Sequence, residues 1–260
     1  MKHFPAILVL IAMVACSAPQ QDQQADIPPP PPPTRSFTAT MTKAFEAHGG
    51  IDNWDKFQTL TYEKVGEEEN EKQVIDLKNR KVRVSTSDFT IGFDGTDVWV
   101  TPDSTAFPRN ARFYHNLYFY FFALPYLAAD PGVNLTDLGQ VEIEGVTYDK
   151  TLMTFGENVG DSPKDQYVLY FDETGILRLI NYSVTYYDES RATQYSAIRY
   201  ENWTDVNGVQ LPQALNWYKW ENDTLGEKRG GAEFTNITLS TEAMDESTYA
   251  KPEGAYVSPK

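Results

Sequence analysis

Few residues in this 260-residue chain are equipped for chemistry. Cys16 is its only thiol, and His3, His48 and His115 are its only imidazoles. One cysteine cannot form an internal disulfide or a thiolate cluster for a metal. His48 and His115 stand far apart in the chain, and a metal shared between them would need carboxylates such as Asp52 or Asp55 to complete it. The simpler reading has His48 closing a helix end and His115 facing inward, with no metal. A phosphate-cradling P-loop, a dinucleotide glycine fingerprint, an HExxH helix and a Gly-x-Ser-x-Gly elbow are all absent from the sequence. Any of the 37 acidic residues could pair for glycoside hydrolysis, yet no spacing singles out a pair, and a solvated acidic surface accounts for them. Asp94-Gly95-Thr96-Asp97 is too short of ligands for a calcium loop and reads as a hairpin turn. The sequence therefore predicts a non-enzymatic protein without cofactors. A formal charge of −15 argues against nucleic acid as a partner.

The chemistry that the spacing does support is at Cys16. Lys2 precedes an apolar run from Phe4 to Ala15 that is too short to span a bilayer, and Met13-Val14-Ala15-Cys16 follows as its end. This layout resembles a bacterial lipoprotein signal, with Met13 in place of the usual Leu. The resemblance implies cleavage before Cys16, a diacylglyceryl thioether on its sulfur and N-acylation by a palmitate-type chain. Two or three chains, at about 0.8 kcal/mol per buried methylene, make a durable anchor. The expected organisation is a signal peptide over 1–15, a lipidated tether over 16–35 and one domain over 36–260. Within the tether Pro28 to Pro33 form a polyproline rod. No Asp follows Cys16, which by the rules of enteric bacteria directs the product to the outer membrane, facing the periplasm.

The elements that would position a site read as mostly β. Phe37, Met41, Ala44, Phe45 and His48 recur at helical spacing, capped at Ser36 or Thr38 and stopped by Gly49-Gly50. Short strands are predicted over 59–65, 73–77, 81–85, 89–93 and 98–101. A greasy helix over Phe113 to Leu124 follows, which either plugs the concave face of a sheet or is a plain core helix. Strands resume near 141–144, 151–155, 166–171, 176–187, 194–203, 209–220 and 233–239. Tyr182, Val184 and Tyr186 alternate with Ser183 and Thr185, as though one face were dry and the other wet. Asn207-Gly208 is a type I′ hairpin signal. About ten antiparallel strands with few helices point to a curved sheet forming an unclosed barrel, a half-barrel with a few covering helices. Trp217 and Trp220 are three apart and face opposite sides of a regular strand, so one of them is a candidate surface aromatic.

Three stretches carry a family resemblance: Ala47-His48-Gly49-Gly50-Ile51-Asp52-Asn53-Trp54, Phe171 to Leu177, and Val206 to Pro212. Together they resemble an uncharacterised lipoprotein branch of the periplasmic lipoprotein-carrier and lipoprotein-receptor (Lol-type) superfamily. The resemblance implies a strongly curved, unclosed antiparallel sheet with helices across its mouth and an apolar cavity inside. Its motifs are turn chemistry and transfer no ligand-contacting residue. The sequence reading thus expects a membrane-anchored protein binding a lipid or other apolar ligand, with Phe113, Leu117, Phe121, Tyr182, Val184 and Trp217 lining the cavity. The alternative is a glycan- or protein-binding subunit of an envelope complex that uses exposed aromatics.

Overall fold

The computed structural model describes residues 35–157 and 159–259. Signal peptide, Cys16 and the tether up to Thr34 lie outside the described residues. Arg35–Lys260 cluster into one compact unit that contains its own hydrophobic core. Among the described residues no helix is long and apolar enough to cross a membrane.

Among the described residues thirteen strands form one antiparallel sheet. In chain order they are β1 (Thr59–Lys64), β2 (Glu71–Asp76), β3 (Val82–Ser85), β4 (Thr90–Phe93), β5 (Val98–Thr101), β6 (Val133–Ile143), β7 (Val146–Phe155), β8 (Tyr167–Phe171), β9 (Leu177–Tyr182), β10 (Ser196–Val206), β11 (Val209–Glu221), β12 (Thr224–Ser240) and β13 (Tyr256–Val257). Their order across the sheet is β13-β5-β4-β3-β2-β1-β12-β11-β10-β9-β8-β7-β6, and the two end strands do not pair. Phe93 of β4 and Tyr167 of β8 nonetheless line one cavity. Eight steps separate those strands, about 38 Å if the sheet were flat, so the sheet is strongly curled. This is the expected half-barrel.

Helix α1 (Ala39–Ala47) is capped by Thr38, whose hydroxyl accepts from the Met41 amide at 3.2 Å, and it buries Met41, Ala44 and Phe45. Gly49 ends it with φ 101°, and a Cβ there would stand 1.9 Å from the Gly208 carbonyl oxygen, so only glycine fits. A short helix α2 (Ile51–Trp54) follows. Around this point the three familiar stretches meet. The Gln210 amide donates to the His48 carbonyl at 3.0 Å, and the Leu177 amide reaches His48 Nε2 at 3.4 Å. Asn207 and Gly208 both have positive φ, as a type I′ turn requires.

The greasy segment departs from the sequence reading. In place of one helix over 113–124 it forms α3 (Ala111–Tyr114), α4 (Leu117–Phe122) and a 3-10 turn, Tyr126–Ala129. Asn110 starts it, its side-chain oxygen accepting from the Phe113 amide at 2.9 Å. His115 and Asn116 break it, because both side chains bond locally: His115 Nδ1 to the Arg112 carbonyl at 2.5 Å and Asn116 Nδ2 to His115 Nε2 at 2.8 Å. The broken segment packs on both halves of the sheet, Phe122 against Tyr62 of β1 and Phe234 of β12, and Phe121 against Tyr167 of β8 and Tyr182 of β9, and so forms a plug between them.

The 176–187 strand also differs. It ends at Tyr182, and the alternation after it is inverted: Ser183 and Thr185 are buried, whereas Tyr187 is 64% exposed. Hydrogen bonding decides this. The Ser183 hydroxyl accepts from the Gln166 amide at 3.0 Å, and the amide and hydroxyl of Thr185 both donate to Asp165 at 2.6 Å. Two strands are longer than their apolar signal. Most of β6 and the first half of β12 are solvent-exposed and rich in Gly and polar residues; hairpin pairing is their main tie, and the Thr38 and Thr40 hydroxyls also donate to Asp137 of β6. The β6–β7 hairpin turns at Glu144-Gly145, both with positive φ.

Trp217 and Trp220 do face opposite sides. Trp217 packs on the main core, while Trp220 joins a smaller outer cluster around Ile143, Tyr148, Tyr170 and Leu179. Neither is fully exposed. Trp99 also lies outside the main core, where its indole donates to the Tyr249 carbonyl at 3.2 Å under the C-terminal segment.

Candidate functional site

The plug has two sides. On one, against β1, β2 and β12, packing is solid. Phe122 stacks on Tyr62 with ring centres 4.4 Å apart and meets Phe234 edge-on at 4.9 Å. The polar groups there close into a chain: Tyr62 donates to Gln73 at 2.6 Å, Gln73 to Glu71 at 2.6 Å, and Tyr114 to Glu71 at 2.7 Å. Burial beside the Glu71 carboxylate holds the Tyr114 hydroxyl far above its ordinary pKa. Trp54 stacks on Tyr126 at 4.5 Å, and the Tyr126 hydroxyl donates to the His48 carbonyl at 2.5 Å.

On the other side, towards β7 and β8, the plug leaves a cavity of about 310 Å³. This lies at the bottom of the roughly 300–1,000 Å³ range of small-ligand sites. Its apolar wall is Phe113, Leu117 and Phe121 from the plug, Phe93 from β4, and Phe155 and Tyr167 from β7 and β8. The β7–β8 loop adds Val159 to Ser162 and Asp165, and Tyr186 stands at the rim. There Phe113, Tyr186 and Tyr187 form an aromatic trio with centres 4.9 to 5.5 Å apart.

Both arginines on this wall are paired with aspartates. Arg112 bonds Asp161 through Nε and Nη2, each at 2.8 Å. Arg80 places Nη2 2.7 and 2.6 Å from the two Asp130 oxygens and lies over the Phe119 ring at 5.5 Å. Burial raises the Asp130 and Asp165 carboxyls above their ordinary range, with Arg80 and Thr185 respectively opposing the rise. Burial lowers His115 to about 4, so its ring is neutral at pH 7. A carbonyl only accepts, so Nδ1 carries the His115 proton towards Arg112, and Nε2 accepts from the Asn116 amide.

Of the residues expected to line a cavity, Phe113, Leu117 and Phe121 stand on its wall. Tyr182 and Trp217 lie behind it, packing on Phe121 with centres 4.8 and 6.3 Å away, and Val184 is not on the wall. Sequence reasoning missed Phe155, Tyr167 and the arginine–aspartate pairs. Tyr167 opens a strand whose alternation puts it on the same side as Leu169 and Phe171, a signal that was readable. Nothing in the sequence ties Arg80 to Asp130, fifty residues on.

A second depression, of about 560 Å³, lies between the β1–β2 and β3–β4 turns. It is polar, and two of its carboxylates are already engaged: Glu69 accepts from Ser87 and Glu63 from Asn70. Among the described residues no three His, Cys, Asp or Glu side chains converge to hold a metal ion.

No protein-family model matches the chain, and no curated protein matches it. Solved structures similar to it include a LolA superfamily protein from Nitrosomonas europaea, at 10% identity and a TM-score of 0.49, over 82% of this chain and 99% of that one. A DUF1329 family protein from Desulfovibrio piger is 9% identical with a TM-score of 0.48, over 82% and 98%. An outer membrane lipoprotein-sorting protein domain from Vibrio parahaemolyticus is 8% identical with a TM-score of 0.43, over 80% and 94%.

Proposed function

We propose that this chain is a lipid-anchored protein of the bacterial envelope that binds a lipid or other apolar ligand inside its half-barrel, without catalysis. One observation carries the reading: the plug seals one side of the concave face and leaves an aromatic-walled cavity on the other. Binding would be driven by removing ligand and wall surface from water, at about 25 cal/mol per Å². Phe113, Leu117 and Phe121 would contact the ligand, with Tyr182 and Trp217 bracing Phe121 from behind. Val184 would serve the loop rather than the ligand. Cys16 would hold the chain on the outer membrane, facing the periplasm, with the proline run as spacer.

The alternative, a glycan- or protein-binding subunit, draws on the outer cluster of Tyr148, Tyr170 and Trp220. Those rings already pack on one another, with Tyr170 and Trp220 centres 6.0 Å apart, which leaves less face for a sugar. Native mass spectrometry of residues 35–260, recovered from the native envelope, separates the two. The expected result is stoichiometric co-purifying lipid, lost in Leu117→Trp. A clean apo mass together with retention on an envelope glycan would overturn the proposal. Labelling with an alkyne fatty acid tests the anchor: the label should vanish in Cys16→Ser.

A further inference from the structure

Of the large apolar side chains exposed among the described residues, Tyr187 is the most exposed, at 64%, and it alone joins an aromatic cluster. Its partners, Phe113 and Tyr186, are half-buried residues of the cavity wall. A single exposed apolar residue is ordinary, but three joined rings at the rim of a cavity call for a physical cause.

The loop that carries the two tyrosines is pinned on both sides of them. Asp165 accepts from the amide and the hydroxyl of Thr185, each at 2.6 Å, and the Asp188 amide donates to the Thr185 carbonyl at 3.1 Å. The Asp188 carboxylate accepts from the Ser190 amide at 2.9 Å. Covering the open face of Tyr187 would therefore freeze little further backbone.

Charge narrows what could cover it. At the rim Arg112 is bonded to Asp161 and Lys164 to Glu189. With Asp165, Asp188 and Arg191 the rim holds three cations against four carboxyls, and the chain as a whole carries −15. An anionic surface would be repelled, whereas one whose headgroups carry both signs and no net charge would not. A tyrosine, with an apolar ring and a polar tip, suits the boundary between water and lipid.

Resting on the ligand-binding reading above, we propose that the cavity rim docks on a zwitterionic phospholipid bilayer through Tyr187, Tyr186 and Phe113, and that ligand passes between bilayer and cavity by this contact. Contact spares an apolar ligand the passage through water, which is the unfavourable step when cavity and bilayer stand apart. Tyr187 itself is not on the cavity wall, so its part is in docking rather than in holding the ligand.

The test uses the mature chain, residues 16–260, with Cys16→Ser so that no acyl group holds it to lipid. It follows the methyl ester of parinaric acid, a slim neutral fluorescent chain, from the protein into phosphatidylcholine vesicles that contain a quencher. Contact transfer gives a rate that rises in proportion to vesicle concentration, whereas release through water gives one that does not. The proportional rise is expected, and Tyr187→Ser should slow it roughly three- to tenfold. The affinity of that variant for the probe should stay within about twofold of the unaltered chain. Adding phosphatidylglycerol to the vesicles should slow transfer at low salt. A rate independent of vesicle concentration, or an unchanged rate in Tyr187→Ser, overturns this proposal and leaves the cavity reading standing. Failure of the chain to take up the probe at all overturns both. The dependence on vesicle concentration is read on the rim as it stands, without a variant.

Discussion

The two sides of the plug are built from the same kinds of residue and end in opposite states. Towards β1, β2 and β12, Phe122, Tyr62 and Phe234 close on one another, and the chain from Tyr62 to Tyr114 leaves no polar group idle. Towards β7 and β8, Phe113, Leu117 and Phe121 face open space, and Arg80 and Asn116 each keep an unbonded atom. Aromatic content alone therefore does not tell a packed core from a binding cavity. The way the rings meet does: on the sealed side three of them close on one another, and on the other side they stand around open space.

The contrast can be broken most forcefully on the sealed side. Phe122→Ala should cost about 3–5 kcal/mol in denaturant unfolding, since its ring is fully buried between two others. A loss below about 1 kcal/mol would mean that this side is as loose as the other.

Acid comes next and strikes both sides. His48, on the sealed side, and His115, at the cavity, are both lowered by burial from 6.5 to about 4. The folded state binds fewer protons than the unfolded state in that window. Stability is therefore fully present above pH 6.5 and falls towards pH 4, by about 1.4 kcal/mol per pH unit for each histidine. The raised Asp130 and Asp165 work the opposite way, at the acid end of the window. Unfolding free energies measured from pH 7.5 to 4.5 should lose about half of their slope in His48→Gln and the same in His115→Gln.

Tyr114→Phe should cost about 1–3 kcal/mol, because it removes a donor from the buried Glu71 carboxylate. The smallest effect on stability is expected from Leu117→Trp, within about 1 kcal/mol, because the added ring enters existing space. A loss of 3 kcal/mol there would show the cavity side to be packed after all.

The sequence made some of this legible. Period-two alternation located the strands of the first half within a residue or two, because their inward faces are apolar and their turns carry Gly, Asn and Asp. It under-read β6 and the start of β12, where the strands face water and pairing supplies the order. The break at His115-Asn116 was hidden, because it depends on side-chain bonds rather than on a proline or glycine. Ser183 and Thr185 read as wet because hydroxyls usually are; here they bond Gln166 and Asp165. Half of the named cavity residues stand on the wall because one face of the plug sets them there, whereas Arg80 with Asp130 and Arg112 with Asp161 exist as pairs only once the chain has folded.

The unpaired ends of the sheet have a mechanical consequence. A closed barrel has its bore set by strand number and stagger, and widening it means breaking a ladder. Here β13 and β6 share no bond, so the sheet behaves as a C-shaped spring clip gripping the plug. Its jaws can part or approach by small changes of twist spread over twelve strand pairings, with every ladder intact. Calibre is thus set by the side chains of one short segment, and the frame around them can stay the same while the bore is re-cut.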